Sequence, residues 1–390
     1  VSQRGDNLTI NVELIDAERE SQLWGQSYTG SSEDVLPIQT EIATQIATRL
    51  KLPLNDEEKK QLSKRSTRSR EAYHLFLKSM YWANKWTPDG IRKGVDYARQ
   101  AIDADPVYAE AWSALAYSFI LIGYFGPAPQ DEMFARAKVA ATKALNIDDS
   151  GADAHATLAY VRLVYDWDWP GALLLLLRAI ELGPNLARGH YVYSQWFLTQ
   201  KLYEEARREA RFALDIEPLS MMFGNHLALV HYFSGHYDEA VEQFREAGEL
   251  NPLSWSVHLS LAFTYAQKCM WKEAKEEIEK SRKLANNDLR TEASFGIFSA
   301  MAGELVEARR MRDKLRQELK PPGFPLAYQC AALHALLGEK DEAFTCLDMA
   351  RQGRAVELPY IAIAHELKSL HDDPRFPELV RRIGIPAPEA

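Results

Sequence analysis

Cysteine is scarce in this 390-residue chain: Cys269, Cys330 and Cys346 are the whole set. Three cysteines spread this thinly exclude a disulfide framework. Cys330 and Cys346 fall on apolar faces and read as buried thiols. Long apolar runs are also missing. The stretch Leu173 to Leu177 is closed off by Gly171 and Arg178, well short of the ~20 residues that a membrane-spanning helix needs. There is no excess of positive charge. The formal net charge is −9, with acids and bases interleaved, which argues against nucleic acid as a partner. The chain has no P-loop, GxGxxG, GxSxG, HExxH or CxxC pattern, and its ten histidines are scattered. No nucleophile stands beside a base. These absences point to a protein that is not an enzyme and holds no cofactor or metal. Wholesale disorder is excluded as well, because 46% of the residues are apolar.

What the chain does have is a period. Ala172, Ala206 and Ala240 are 34 residues apart, as are Ala179, Ala213 and Ala247, and Pro184, Pro218 and Pro252. A 34-residue period with small residues in register and a closing proline is the mark of tetratricopeptide repeats, each a pair of antiparallel helices, A and B. Ala206, Ala240 and Ala274 fall early in helix B, where a small side chain lets the two helices approach. Ala213 and Ala247 share that face, about two turns further on. Helix A carries its own small residues at Ala159, Ser194, Ala228, Ala262 and Gly296. Proline stops helix B, since it lacks the N–H and clashes with the preceding turn. One pair cannot bury its apolar stripe, whereas a stack can. The expected fold class is therefore mostly α: a right-handed superhelix of about eight repeats over residues 75–357. Residues 358–390 lose the register and are expected to form a cap with a polar outer face. Extra residues around Gly123 to Asp131 lengthen the A–B turn of the second repeat into a surface loop.

Residues 1–54 do not repeat. From Asn7 to Asp16, apolar Leu8, Ile10, Val12 and Leu14 alternate with polar Thr9, Asn11 and Glu13, a strand period. Gln22 to Thr29 reads as the returning strand of a hairpin. Leu36, Ile38, Ile42, Ile46 and Leu50 put one apolar stripe on a following helix. A hairpin with one helix is too little for a domain. Its free edge asks for upstream strands or for another chain, so self-association through that edge is an expectation. Residues 55–74 are polar and mixed in charge, and read as a solvated connector between this partial α/β unit and the repeats.

The words Gly5-Asp6, Leu14-Ile15-Asp16-Ala17, Leu23-Trp24, Tyr28, Asp34-Val35 and Ile38-Gln39-Thr40-Glu41-Ile42 resemble the second half of the TolB-like domain. In bacterial signalling proteins that domain precedes tetratricopeptide repeats. Tyr165 to Trp169, Glu217 to Ser220 and Asp373 to Phe376 carry the same resemblance into the repeats. It implies a sensor or scaffold arm attached to a kinase, adenylate cyclase or winged-helix output domain. It leaves that arm either cytoplasmic or, behind an upstream membrane span, periplasmic.

Resemblance to tetratricopeptide proteins also implies which side chains line the concave groove. Carrying the helix A groove positions along gives Tyr117, Ile120, Tyr160, Tyr191, Gln195, Asn225, Leu229, Tyr232, Phe233, Leu259 and Phe263. That set is aromatic and apolar with a few amides, which suits an apolar or amphipathic segment of a protein or peptide partner. The blander reading is that several of them pack between neighbouring A helices. Trp167 and Trp169 are expected to pin the helices beside their turn, and His155, His190 and His258 to pack between repeats. Two functions stay open. One is a non-catalytic scaffold that binds a partner in an open channel along several repeats. The other is a ligand-sensing regulatory domain, with a small molecule held between the N-terminal part and the first repeats in one closed pocket.

Overall fold

The computed structural model describes residues 2–4, 7–16, 19, 21–31, 35–50, 67–125, 129–285, 289–318 and 326–386. Most of the expected connector, the Gly5-Asp6 and Asp34 words, and the centre of the long loop of the second repeat lie outside the described residues.

The N-terminal unit is an antiparallel sheet in the order β1 (Ser2–Arg4), β2 (Asn7–Asp16), β3 (Ser21–Ser31), followed by helix α1 (Val35–Arg49). Alternation along β2 and β3 turns Ile10, Val12, Leu14, Trp24 and Tyr28 to one face, where Ile38, Ile42 and Ile46 of α1 cover them. The expected hairpin thus gains a short third strand. β1 pairs with Asn7, Leu8 and Thr9, so the β2 edge is covered there, and no strand pairs along the rest of that edge among the described residues.

Among the described residues, eight helical hairpins follow. They are α2 (Arg70–Ala83) with α3 (Pro88–Ala104), α4 (Ala109–Phe125) with α5 (Gln130–Ile147), α6 (Ala152–Val161) with α7 (Trp169–Leu182), and α8 (Ala187–Thr199) with α9 (Tyr203–Ile216). Then come α10 (Met221–Phe233) with α11 (Tyr237–Leu250), α12 (Trp255–Gln267) with α13 (Trp271–Leu284), α14 (Leu289–Met301) with α15 (Leu305–Glu318), and α16 (Ala327–Leu336) with α17 (Lys340–Gln352). The first helix begins at Arg70, ahead of the expected Leu75, because Ser69 caps it by accepting a hydrogen bond from the Ala72 N–H.

The registered small residues do what their size allows. Ala172, Ala206, Ala240 and Ala274 have no exposed surface. Ser194 is equally buried and its hydroxyl donates to the Ala206 carbonyl at 2.6 Å, which joins the two helices at their closest approach. A Cβ on Gly296 would stand 2.6 Å from Cγ of Met311. The B helices end at Leu182, Ile216 and Leu250, just before Pro184, Pro218 and Pro252.

A second register runs through the A–B turns. Trp167, Lys201, Gly235, Cys269 and Gly303, spaced like the alanines, all have positive φ, between 58° and 84°. The next residue in each later turn donates its N–H five residues back: Leu202 to Phe197, His236 to His231, Met270 to Tyr265 and Glu304 to Ser299, at 2.8–3.1 Å. That is the Schellman closure of a helix C-terminus.

After α17 the chain departs from expectation. Residues 358–383 form two 3-10 turns (Leu358–Tyr360 and His365–Leu370) and helix α18 (Arg375–Ile383). Leu358, Ile361, Leu367 and Leu370 are fully buried, so this is not a polar cap on the outer end. They are spaced by multiples of three, the period of 3-10 turns and not of the repeats. The segment packs on the eighth hairpin, where the Ser369 hydroxyl donates to the Ala335 carbonyl at 3.0 Å, and also against hairpins three to five. Trp169 Nε1 donates to the Ile383 carbonyl at 3.4 Å, Arg354 donates to the Tyr165 carbonyl at 2.9 Å, and the Tyr360 hydroxyl donates to Oε1 of Gln195. One hydrophobic core accordingly holds Leu158, Val164 and Leu176 together with Leu358, Leu370 and Ile383.

Candidate functional site

The A helices α4, α6, α8 and α10 face the folded-back segment across a cavity of about 410 Å³. Tyr117 and Ile120 come from α4, Tyr160 from α6, Tyr191 and Gln195 from α8, and Asn225, Leu229 and Phe233 from α10. These eight groove positions therefore surround one space. Its far wall is Tyr328 of α16 with Val356, Glu357 and Tyr360.

Three groove positions do not reach it. Tyr232 is buried on another side of α10, with its ring edge-on to His365 at 4.8 Å and near Tyr237 at 5.9 Å. Phe263 packs edge-on to Phe298 at 6.2 Å. Leu259 belongs to the same core as Tyr232. Tyr232 and Phe263 hold neighbouring hairpins together.

The walls are a run of tyrosines. The Tyr160 hydroxyl donates to the Tyr124 hydroxyl at 2.6 Å, and the Tyr160 ring lies 6.5 Å from that of Tyr191. Burial pushes the hydroxyls of Tyr117, Tyr124, Tyr160, Tyr191, Tyr328 and Tyr360 above their ordinary pKa, so all stay protonated at neutral pH. His226 also faces the cavity and is bonded to the Ser194 hydroxyl at 2.8 Å. Burial lowers its pKa to about 3, so it is neutral.

Three charged side chains break this surface, Arg188, Glu357 and Glu366, the last accepting from the Tyr328 hydroxyl at 2.7 Å. The Arg188 guanidinium lies 4.0 Å over the Tyr117 ring, and its Nη1 donates to Asp153 at 2.7 Å. Glu357 accepts from Gln329 through Oε1 at 3.1 Å. Arg188 Nε, Gln195 Nε2, Glu357 Oε2, Asn225 Oδ1 and Thr157 Oγ1 are buried without a hydrogen-bond partner, and all five residues line the cavity. Thr157, Tyr124, His226, Arg188, Tyr328, Glu357 and Tyr360 escape a reading by groove offsets. Arg188 has one usable signal, since it is a lone cation at the start of an otherwise apolar helix A.

The cavity opens into a larger cleft of about 2090 Å³, and Trp86, Tyr124, Arg188, Met222 and Glu357 belong to both. The cleft is lined from Met80 in the first hairpin to Glu357 after the eighth, chiefly by turns between consecutive hairpins. Leu219 and Leu253 stand on its wall 81% and 74% exposed, one after each repeat-closing proline.

His190 and His258 each bond a B-helix carboxylate, Glu209 and Glu277, at 2.6 Å. His155 bonds the Asp149 carbonyl at 2.8 Å. His190 and His258 thus tie the two helices of their own hairpins, and His155 bonds the connection ahead of α6. Trp167 and Trp169 border the inward-turned segment: Arg354 stacks 5.4 Å over Trp167, and Trp169 is buried. One soft-donor group was not foreseen. Cys330, His334 and Cys346 are buried with donor atoms within 4.8 Å of one another. His334 Nδ1 is already bonded to Glu339 at 2.6 Å, and among the described residues the group holds three donors, one fewer than a structural zinc site uses.

The chain matches no family model. A protein described as putative adenylate cyclase 3 of Rhizobium meliloti (strain 1021) is 24% identical over 161 residues, which cover 41% of this chain and 27% of that protein. The match thus spans about a quarter of that relative's length. Among solved structures, a tetratricopeptide repeat protein from Parabacteroides merdae is 14% identical, with a TM-score of 0.44 over 70% of this chain and 99% of that one. Pseudomonas aeruginosa pilF is 23% identical, with a TM-score of 0.41 over 57% and 93%. YrrB, described as a tetratricopeptide protein with an unusual peptide-binding site, is 19% identical, with a TM-score of 0.33 over 49% and 94%. The repeat architecture rests on the helices themselves and not on these likenesses.

Proposed function

We propose that the chain is a non-catalytic interaction scaffold that holds a segment of a partner protein in its central cleft. The observation that carries this reading is the cleft's continuity. It runs past all eight hairpins, as an extended or helical segment would need, and it presents the exposed side chains Leu219 and Leu253. Exposed apolar groups on a concave wall are what an amphipathic segment buries. The eight groove residues lie beneath this channel, in the cavity, and contribute to it through the shared wall.

A signalling role is part of the proposal, with the repeats as a regulatory arm of an output domain. It is supported by the resemblance of the N-terminal words to the TolB-like domain and by the partial likeness to the putative cyclase.

A displayed library of random peptides tests the cleft. Apolar or amphipathic binders should be enriched, and the Leu219→Asp/Leu253→Asp double variant should lose them by tenfold or more at an unchanged melting temperature, because both residues are exposed. A library that enriches nothing overturns the reading, as do binders that the double variant retains in full.

The second reading, a ligand-sensing domain, is favoured by a separate observation: the groove residues close round a pocket of small-molecule size. The site differs from the one expected, since the pocket is walled by repeats and the C-terminal segment.

A further inference from the structure

We infer that the 410 Å³ cavity is a binding site for a compact zwitterion with an apolar body, of the aromatic or large aliphatic α-amino acid class. The volume falls within the range of small-molecule sites, roughly 300–1,000 Å³, and far exceeds the ~30 Å³ share of one water. The walls supply the surface for a ring or branched chain: Tyr117, Tyr160 and Tyr191 on one side, Tyr360 on the other.

The polar groups decide the class. Buried polar atoms in folded proteins are almost always hydrogen-bonded, and leaving one unpaired is costly. Here five unpaired atoms belong to residues that line one cavity: Arg188 Nε, Gln195 Nε2, Thr157 Oγ1, Glu357 Oε2 and Asn225 Oδ1. Thr157 is 1% exposed, so its hydroxyl has no bulk water to turn to. The five sort by kind. Arg188 Nε, Gln195 Nε2 and the Thr157 hydroxyl can donate, one of them from a cation, and suit a carboxylate. Glu357 Oε2 and Asn225 Oδ1 are acceptors, one of them anionic, and with the Glu366 carboxylate on the same lining they suit an ammonium group. A purely apolar guest would leave all five unpaired. A simple anion or cation would satisfy one set and leave the other. A zwitterion satisfies both and brings no net charge into the buried space.

This inference does not depend on the peptide reading of the cleft, because its test contains no peptide. The full chain is titrated calorimetrically with L-phenylalanine, with 3-phenylpropionate, which lacks the ammonium, and with phenethylamine, which lacks the carboxylate. Phenylalanine should bind, and each analogue should bind about tenfold to a hundredfold more weakly, the loss that accompanies one missing charged hydrogen bond. Glu357→Gln should weaken phenylalanine by a similar factor while leaving 3-phenylpropionate unchanged. If Glu357→Gln fails to fold, as judged by circular dichroism, Thr157→Val is the second variant and should weaken phenylalanine several-fold. The proposal is overturned if phenylalanine, leucine and tryptophan all give no heat, which would leave water as the occupant. It is overturned equally if the three phenyl compounds bind alike, which would make the cavity merely apolar.

Discussion

The hairpins from α8 to α13 and the segment after α17 bury their apolar residues by opposite means. In the former, each alanine fills the same place one repeat on, and each hairpin needs only its neighbours. In the latter, Leu358, Ile361, Leu367 and Leu370 follow the spacing of three of their 3-10 turns and not the 34-residue repeat, and with Ile383 they are buried in a core shared by the neighbouring eighth hairpin and by hairpins far away in the chain. The first kind of packing is local and repeats. The second is made once, and it turns a groove into a cavity. What the repeats build is a surface; what the segment outside the repeat adds is an enclosure.

Substitutions can separate the two. The largest effect is expected in the regular array. Phe244 on α11 is fully buried, and Phe244→Ala should cost about 3–5 kcal/mol in urea unfolding. Tyr232→Ala should behave similarly, at the lower end of that range, which would mark it as core and not groove.

Acid probes the wall that faces the cavity. In the unfolded chain a histidine takes up its proton near pH 6.5, whereas His226 does so in the fold only near pH 3. Between these values the unfolded state binds the extra proton, so stability falls as the pH is lowered through that window. Going from pH 7 to pH 5 should cost about 2 kcal/mol from this group. His231, His365 and His371 are also held low by burial and add in the same direction, while the Glu209 hydrogen bond helps raise His190 against its burial and opposes them. Melting curves of His226→Gln between pH 7 and pH 5 should therefore be flatter than those of the parent; equal slopes would remove His226 as a source.

The inward segment should answer more gently. Tyr360→Phe removes the hydrogen bond to Gln195 and should cost about 1 kcal/mol. It should also raise the proteolytic sensitivity of residues 354–383 before that of the repeats. Simultaneous cleavage throughout would show that segment and array unfold as one.

The smallest effect belongs to the turns. Lys201 has φ 63°, a conformation that glycine adopts without strain, so Lys201→Gly should stabilise by up to about 1 kcal/mol in thermal melts. The same change at Lys85, beside the first-hairpin turn and outside this register, serves as the comparison.

The regular array was legible because its two constraints, close approach and termination, are each met by very few residue types. Alanine and proline therefore recur visibly. The left-handed turn register was not legible, although it has the same period. Trp167, Lys201, Gly235, Cys269 and Gly303 share a backbone shape and no chemistry. The groove offsets gather eight positions around one space because helix A always presents the same face. Tyr232, Leu259 and Phe263 lie elsewhere: the Tyr232 ring meets His365 of the inward segment, and Phe263 meets Phe298 of the next hairpin. The closing wall was invisible because nothing in residues 354–383 announces which distant surface will receive it.

That wall has a mechanical consequence. A helical solenoid ordinarily yields like a spring, each joint between neighbours bending a little without reference to the rest. Here Arg354, Tyr360 and Ile383 are fastened to Tyr165, Gln195 and Trp169, so the arc between them is latched across its own diameter. A joint inside the latch opens only against these ties. Whatever lodges between the tyrosines and Glu357 sits beside the latch, where a small change in fit bears on the hairpins from the third onward.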